Sequence, residues 1–194
     1  MILKYYGHSC FTISSGEYTL AIDPYDDKVP GYPPLKIRAN AVYCSHGHGD
    51  HCNLDAVEIV PASCEDPFTV TEISIPHDRE GGAMRGMNLI RIFEAEGKKI
   101  IHFGDTGCMP SEEILSQLKG ADAALIPVGG FFTIEASEAK KIAELITPKT
   151  VIPMHYKEGP VGLSKIAEIG EFLDLCKDSS LNIRKMAYLE ETGI

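Results

Sequence analysis

The chain contains no apolar run approaching the ~20 residues needed to cross a bilayer, so membrane insertion is not expected. Its six cysteines form no C-x-x-C pair, and no basic stretch followed by an apolar core opens the sequence. These absences point to a reducing, cytoplasmic setting. Cysteines such as Cys10, Cys44 and Cys108 are then expected as small buried hydrophobes, with Cys52 set apart because it adjoins His51. Positive charge is also scarce. Eighteen Lys and Arg stand against 28 Asp and Glu, a net charge of −10 that repels phosphate backbones and anionic membrane surfaces. Nucleic acid and membrane are therefore not expected partners, whereas a small anionic substrate drawn by a local dication remains compatible. Repeats and low-complexity tracts are missing too.

What is present is the composition of a folded domain, 44% hydrophobic and 24% charged over 194 residues. One domain spanning residues 1–194 is expected. Short strands are predicted at 2–6, 10–14 and 18–23 as a meander, then at 41–45, 69–75, 88–94 and 98–103. A Pro/Gly-rich connection covers residues 30–34, a short helical start is expected at 53–57, and 95–97 forms a hairpin turn. Apolar spacing of three and four then predicts helices at 112–118, 135–146 and 163–176, alternating with strands at 123–128, 150–154 and 185–190. The order implies an α/β layered fold, with helices burying their apolar stripes against sheets.

The segment His46-Gly47-His48-Gly49-Asp50-His51 places three imidazoles and a carboxylate in six residues. Imidazole nitrogen and carboxylate oxygen are the usual donors to zinc and its neighbours, so this density points to a metal site in a strand-to-helix loop. Three further candidate ligands each follow an apolar strand: His77 after Ile73-Ser74-Ile75-Pro76, Asp105 after Ile100-Ile101-His102-Phe103-Gly104, and His155 after Val151-Ile152-Pro153-Met154. Sites in layered α/β proteins form outside strand ends, which would let these loops share one rim.

The H-x-H-x-D-H stretch, His77, Gly104-Asp105-Thr106-Gly107 and Pro153-Met154-His155-Tyr156 together resemble the metallo-β-lactamase superfamily. Gly7-His8-Ser9-Cys10-Phe11, Asp23-Pro24 and residues 127–133 resemble its short, single-domain branch of ascorbate-6-phosphate lactonase-like hydrolases. The resemblance implies a four-layer αββα sandwich and a dinuclear site. His46, His48 and His77 would hold one ion, Asp50, His51 and His155 the other, and Asp105 would bridge them. It implies two divalent ions, zinc first, with manganese, iron or nickel compatible with the same donors.

The expected activity is hydrolysis of a small ester, lactone or phosphoester by a hydroxide shared between the ions. Asp50 and Asp105 are the expected catalytic carboxylates, Asp50 both holding metal and orienting the nucleophile or shuttling its proton. His8, Arg85, Asn88 and Gly130 are candidate substrate contacts, with Arg79 considered beside them: an imidazole at the rim, guanidinium forks and an amide for an anion, and bare backbone amides for an oxyanion. Asp23 is expected behind the ligands, orienting their loop, and His102 is expected as a hydrogen-bonded core histidine. Two other readings share the residues: an iron-dependent redox enzyme for oxygen or thiol chemistry, and a non-catalytic metal-binding module. Histidine at position 48 tilts towards hydrolysis, because the superfamily's diiron oxygen reducers usually carry a carboxylate there. A homo-oligomer is compatible with the sequence.

Overall fold

The computed structural model describes residues 1–29 and 31–194; the expected connection at 30–34 begins on Pro30, outside the described residues. The meander forms as β1 (Ile2–Gly7), β2 (Cys10–Ser15) and β3 (Tyr18–Ile22), each antiparallel to the last. Successive side chains of a strand point to opposite faces. Leu3, Tyr5, Phe11, Ile13, Leu20 and Ile22 therefore enter the main core, while Cys10 and Ala21 face the other side.

Next come β4 (Ile37–Ala39) and β5 (Ala41–Tyr43), a 3₁₀ turn at Leu54–Ala56, and β6 (Val57–Ile59). β5 joins β3 in parallel, and β4 pairs with β6 in a separate ribbon. Neither ribbon strand was expected, since three residues are too few for alternation to register.

The second sheet starts with β7 (Thr69–Pro76), β8 (Met87–Ala95) and β9 (Lys98–His102), again antiparallel. Then α1 (Glu112–Leu118), β10 (Ala123–Pro127), α2 (Ala136–Ile146), β11 (Val151–Met154) and α3 (Ile169–Cys176) alternate, with β9, β10 and β11 parallel. Every residue of β10 is buried, as a central parallel strand covered on both faces must be. Ser111 starts α1 by accepting the Ile114 N–H at 3.3 Å. Ala139, Ile142, Ala143 and Ile146 form the buried stripe of α2. Finally β12 (Glu191–Gly193) returns to pair with β1.

The sheet orders are β12-β1-β2-β3-β5 and β11-β10-β9-β8-β7. Their facing sides share one core, and the whole is an αββα sandwich. Over the outer face of the first sheet, Tyr25, Val29, Leu35, Ile37 and Val57 cover Cys10 and Ala21.

Two expected elements are corrected. The helix expected from 163 starts only at Ile169, because residues 163–168 are drawn into tertiary pairing: Ala167 N–H donates to the Gly129 carbonyl at 2.7 Å, and Lys157 bridges Glu168. The strand expected at 185–190 is absent. Leu189 turns there with φ 60°, its N–H donating to Tyr5, and the edge of β1 is taken by β12 instead.

The pairings set the direction of every site loop. β1, β3 and β5 run one way within their sheet, as do β7, β9, β10 and β11 in theirs. His8, Asp23, the 46–51 loop, His77, Asp105 and His155 all follow C-terminal ends of these co-directed strands. Two backbone bonds across the sheets join the ends: His155 N–H to the His8 carbonyl at 3.0 Å, and Leu89 N–H to the Ser45 carbonyl at 2.9 Å.

Candidate metal centre

Eight donor side chains converge on this rim. His8, Asp50, His51 and His155 form one group, His46, His48 and His77 a second, and His46, His51 and Asp105 a third, with the donor atoms of each group within 4.8 Å of one another. Asp105 lies between them: Oδ1 is 3.1 Å from His51 Nε2, while Oδ2 is 3.2 Å from His155 Nε2 and 3.5 Å from His77 Nε2. Two donors each about 2.1 Å from one tetrahedral ion stand roughly 3.4 Å apart. These spacings have that size.

Local backbone forces the convergence. His8, Asp23 and His155 have φ of 53°, 48° and 52°, a left-handed conformation that side chains other than glycine rarely adopt and that surrounding contacts must hold. Gly104, at φ 53°, lies where any Cβ would collide with Asn88 and Ser45.

Hydrogen bonds then decide which nitrogens remain bare. Buried Asp23 accepts the Ser45 N–H and hydroxyl, each at 2.6 Å, and His51 Nδ1–H at 2.7 Å. With the Ser45 hydrogen committed to Asp23, His46 Nδ1–H donates to Ser45 Oγ at 3.0 Å. Both rings thus turn Nε2 towards the centre, the arrangement of ligating imidazoles. Both Nε2 atoms are buried without a partner, as are Asp105 Oδ1 and both nitrogens of His155 and of His8. So many orphaned buried polar atoms are costly unless a cation meets them, and the nitrogen–carboxylate set suits a borderline divalent ion. The residues fit the metal pair.

The electrostatics agree. Burial, reinforced by His51, pushes His46 down to about 3, and burial with His155 pushes His8 down to about 4, so both rings are neutral donors. Burial opposes charge on His51, yet Asp105 and Asp23 outweigh it and hold its pKa well above the usual range, so a cation binding at Nε2 displaces a proton from it. Asp105 resists protonation in turn: burial would raise its pKa, but His155 and His51 bring it well below the carboxylate norm.

A family model described as the beta-lactamase superfamily domain matches residues 2–155. The chain belongs to that superfamily. A UPF0173 metal-dependent hydrolase of Korarchaeum cryptofilum is 30% identical over 201 residues, covering 88% of this chain and 90% of that protein. A Thermotoga maritima structure described as a Zn-dependent hydrolase of the metallo-β-lactamase superfamily superposes with a TM-score of 0.72 at 26% identity, covering 95% and 97% of the two chains. CmlA, a diiron β-hydroxylase of Streptomyces venezuelae, has a TM-score of 0.68 at 14% identity, covering all of this chain and 54% of its own. That last likeness is one of fold alone, and the fold by itself does not choose between hydrolysis and oxidation.

In this superfamily member the donors meet a cavity of about 210 Å³ lined by His48, Asp50, His77, Arg85, Asp105, Phe132 and Leu163. Arg85 and Phe132 also line a neighbouring cavity of about 200 Å³, and the guanidinium carbon lies 5.5 Å over the Phe132 ring. The larger cavity of about 530 Å³, ringed by Tyr5, Tyr32, Tyr156 and Tyr188, includes none of the donors.

Several expected substrate contacts are placed elsewhere. Asn88 is fully buried; its amide donates to the Phe103 carbonyl at 2.9 Å and its oxygen accepts the Asp105 N–H at 2.8 Å, so it positions Asp105. Gly130 lies against Glu135 and is not among the residues lining the cavity; its carbonyl accepts the Phe132 N–H at 2.7 Å. His8 is wholly buried in the donor cluster, away from the mouth. Arg79 is spent on a two-pronged pair with Glu138 at 3.0 and 2.6 Å. His102 has both nitrogens engaged, Nε2–H with the Ser9 carbonyl and Nδ1 with the Gly104 N–H.

Two features escaped the sequence reading. Cys44 and Cys52 are joined in a disulfide that brackets the 46–51 loop, which corrects the expectation of unpaired cysteines and removes that argument for a reducing compartment. Asp78 accepts four backbone N–H groups, from Glu80, Gly82, Met84 and Arg85, at 2.7–2.9 Å. Its position directly after His77 in a glycine-rich stretch was the available signal for an Asx-type loop anchor.

Proposed function

We propose that the protein is a metal-dependent hydrolase of a small ester, lactone or phosphoester that carries an anionic group. The observation that carries this reading is the ring of buried donor atoms with no hydrogen-bond partner, set beneath a cavity of about 210 Å³. His46, His48 and His77 would hold one divalent ion, Asp50, His51 and His155 the other, with Asp105 between them; zinc is the first choice among compatible metals. When bound, the ions supply Lewis acidity and lower the pKa of water enough for attack near neutral pH.

The chain's own groups do the rest. Asp50 borders the cavity, and burial is outweighed by His8 and His51 in keeping its carboxylate strongly ionised. Its ionised carboxylate accepts a hydrogen bond from the attacking water and so orients it. Asp23 fixes the His51 ring through Nδ1, and Asn88 fixes the Asp105 backbone, so neither ligand reorganises during the reaction. Arg85 stands at the wall shared by the two cavities, where its fork can donate to a carboxylate or phosphate while Phe132 and, on the donor side, Leu163 cover apolar substrate atoms.

The test is to count metal in the purified protein, then assay lactones, phosphodiesters, phosphomonoesters and thioesters against Asp50→Ala. Phosphorylated lactones come first, following the resemblance to the lactonase-like branch. Two ions per chain and turnover that collapses in Asp50→Ala are expected; stoichiometric metal without hydrolysis of any of these sinks the reading.

A further inference from the structure

We propose that His8 is itself a metal-facing donor, and that it makes the two ion positions unequal. The idea rests on the two-ion reading above. Its imidazole is completely buried, yet neither ring nitrogen has a hydrogen-bond partner. The ring lies 4.3 Å from that of His155 and 5.2 Å from that of His51, centroid to centroid, and Nε2 is 3.4 Å from Asp50 Oδ2. That separation matches two donors sharing one ion.

The backbone points the same way. A turn histidine with no other duty gains nothing from a left-handed φ of 53° and would send its ring to water. Here the strained residue is clamped: its carbonyl accepts the Tyr5 hydroxyl at 3.2 Å and the His155 N–H at 3.0 Å. The clamp couples His8 to His155 at the backbone and brings their rings into one cluster. Strain held by such contacts at a site is a mark of function.

With His8 counted, one position draws on four side chains of its own, His8, Asp50, His51 and His155, and the other on three, His46, His48 and His77. The two groups also differ in access. Of the three donors at the second position, His48 and His77 line the cavity; of the four at the first, only Asp50 does. Asp105, shared between them, adds one donor to each; the position with more protein donors holds its ion more tightly, and the one with fewer exchanges it more readily. The His8 position therefore holds its ion more tightly, with Asp50 alone of its own donors reaching the cavity, and the His48 position holds the more exchangeable ion.

Protein stripped of metal would be titrated with Zn²⁺ and, separately, Mn²⁺, with ions counted per chain and affinities read by chelator competition. Wild type is expected to bind two ions in two affinity classes. His8→Asn tolerates the left-handed turn but removes the imidazole; its tight class should weaken at least ~10-fold while the weak class persists. His48→Ala should lose the weak class alone. Unchanged affinities in folded His8→Asn, or a single class in wild type, overturn the proposal while leaving the two-ion reading intact. Fewer than two ions in wild type overturns that reading and the proposal with it. If circular dichroism shows that His8→Asn does not fold, His48→Ala decides: loss of the weak class supports the proposal and loss of the tight class overturns it.

Discussion

Two loops at the mouth of the site, 44–52 and 77–87, are built on opposite plans. The Cys44–Cys52 bond ties the ends of the first together, and partners distant in sequence hold it in place: Asp23 from the end of β3 receives both Ser45 and His51, and Leu89 of β8 donates to the Ser45 carbonyl. The second is held mainly by itself. Asp78 gathers four of the loop's own N–H groups, and His77 N–H closes on the Gly86 carbonyl at 3.0 Å. The first loop carries four of the metal-site donors; the second carries one, His77, directly after the end of β7, and Arg85 near its far end. Donors to an ion must stay within about 0.5 Å of place, which calls for support from rigid elements. A group that meets varied substrate atoms tolerates a loop of lower local stability.

The contrast can be broken or sharpened at several points. The largest effect is expected at Asp50→Ala, whose hydrolytic rate should fall about 10²- to 10⁴-fold with the fold intact, read by steady-state kinetics beside circular dichroism. Asp23→Ala strikes the support beneath the first loop; leaving His51 and Ser45 without their buried acceptor should cost roughly 3–5 kcal/mol in urea unfolding and weaken metal binding about 10- to 100-fold. If Asp23→Ala keeps wild-type stability, the cross-fixed picture of that loop is wrong. Reduction, or Cys44→Ser with Cys52→Ser, releases a short loop and should lower stability by about 2–3 kcal/mol in the chain-entropy model, without altering exchange of the Gly82 and Met84 amides.

On the second loop, Arg85→Gln should raise KM for anionic substrates about 10-fold, with kcat and neutral substrates little changed, as expected for loss of one charged anchor. Equal losses for neutral and anionic substrates would remove Arg85 from recognition. The smallest effect is a pH dependence. Although burial opposes ionisation, the four N–H donors hold the Asp78 pKa below its ordinary value. Its contribution is therefore complete above about pH 3.9 and is lost as pH falls through the depressed value in the folded protein. Amide exchange of Gly82, Met84 and Arg85 should speed up over that acid window, ahead of amides in the 44–52 loop.

How much could be read without coordinates differs by element. Helix α1 was legible to the residue, because Ser111 and the spacing of Leu115 and Leu118 are local signals. The end of α3 was legible and its start was not, since Ala167 answers to Gly129, nearly forty positions away. His46, His48, Asp50 and His51 announce themselves by density, and His77, Asp105 and His155 by following apolar strands. Asn88, Gly130 and His8 do not line the cavity beside the donors, and residue type and position along the chain do not say whether a side chain faces a cavity or turns beneath it.

By itself the sequence determined most of the strands and the donors that follow them, because strand alternation, turn residues and ligand chemistry are written in neighbouring positions, whereas the pairings made those strand ends co-directed. Only the tertiary structure decided the rest: that Asp23 locks two imidazoles from behind, that Cys44 meets Cys52, that Asp78 holds up Arg85 and that His8 is folded under the floor. Each of these depends on contacts between groups whose chemistry is unremarkable until packing removes water from around them. Burial then turns an ordinary turn histidine or aspartate into one that must find a partner.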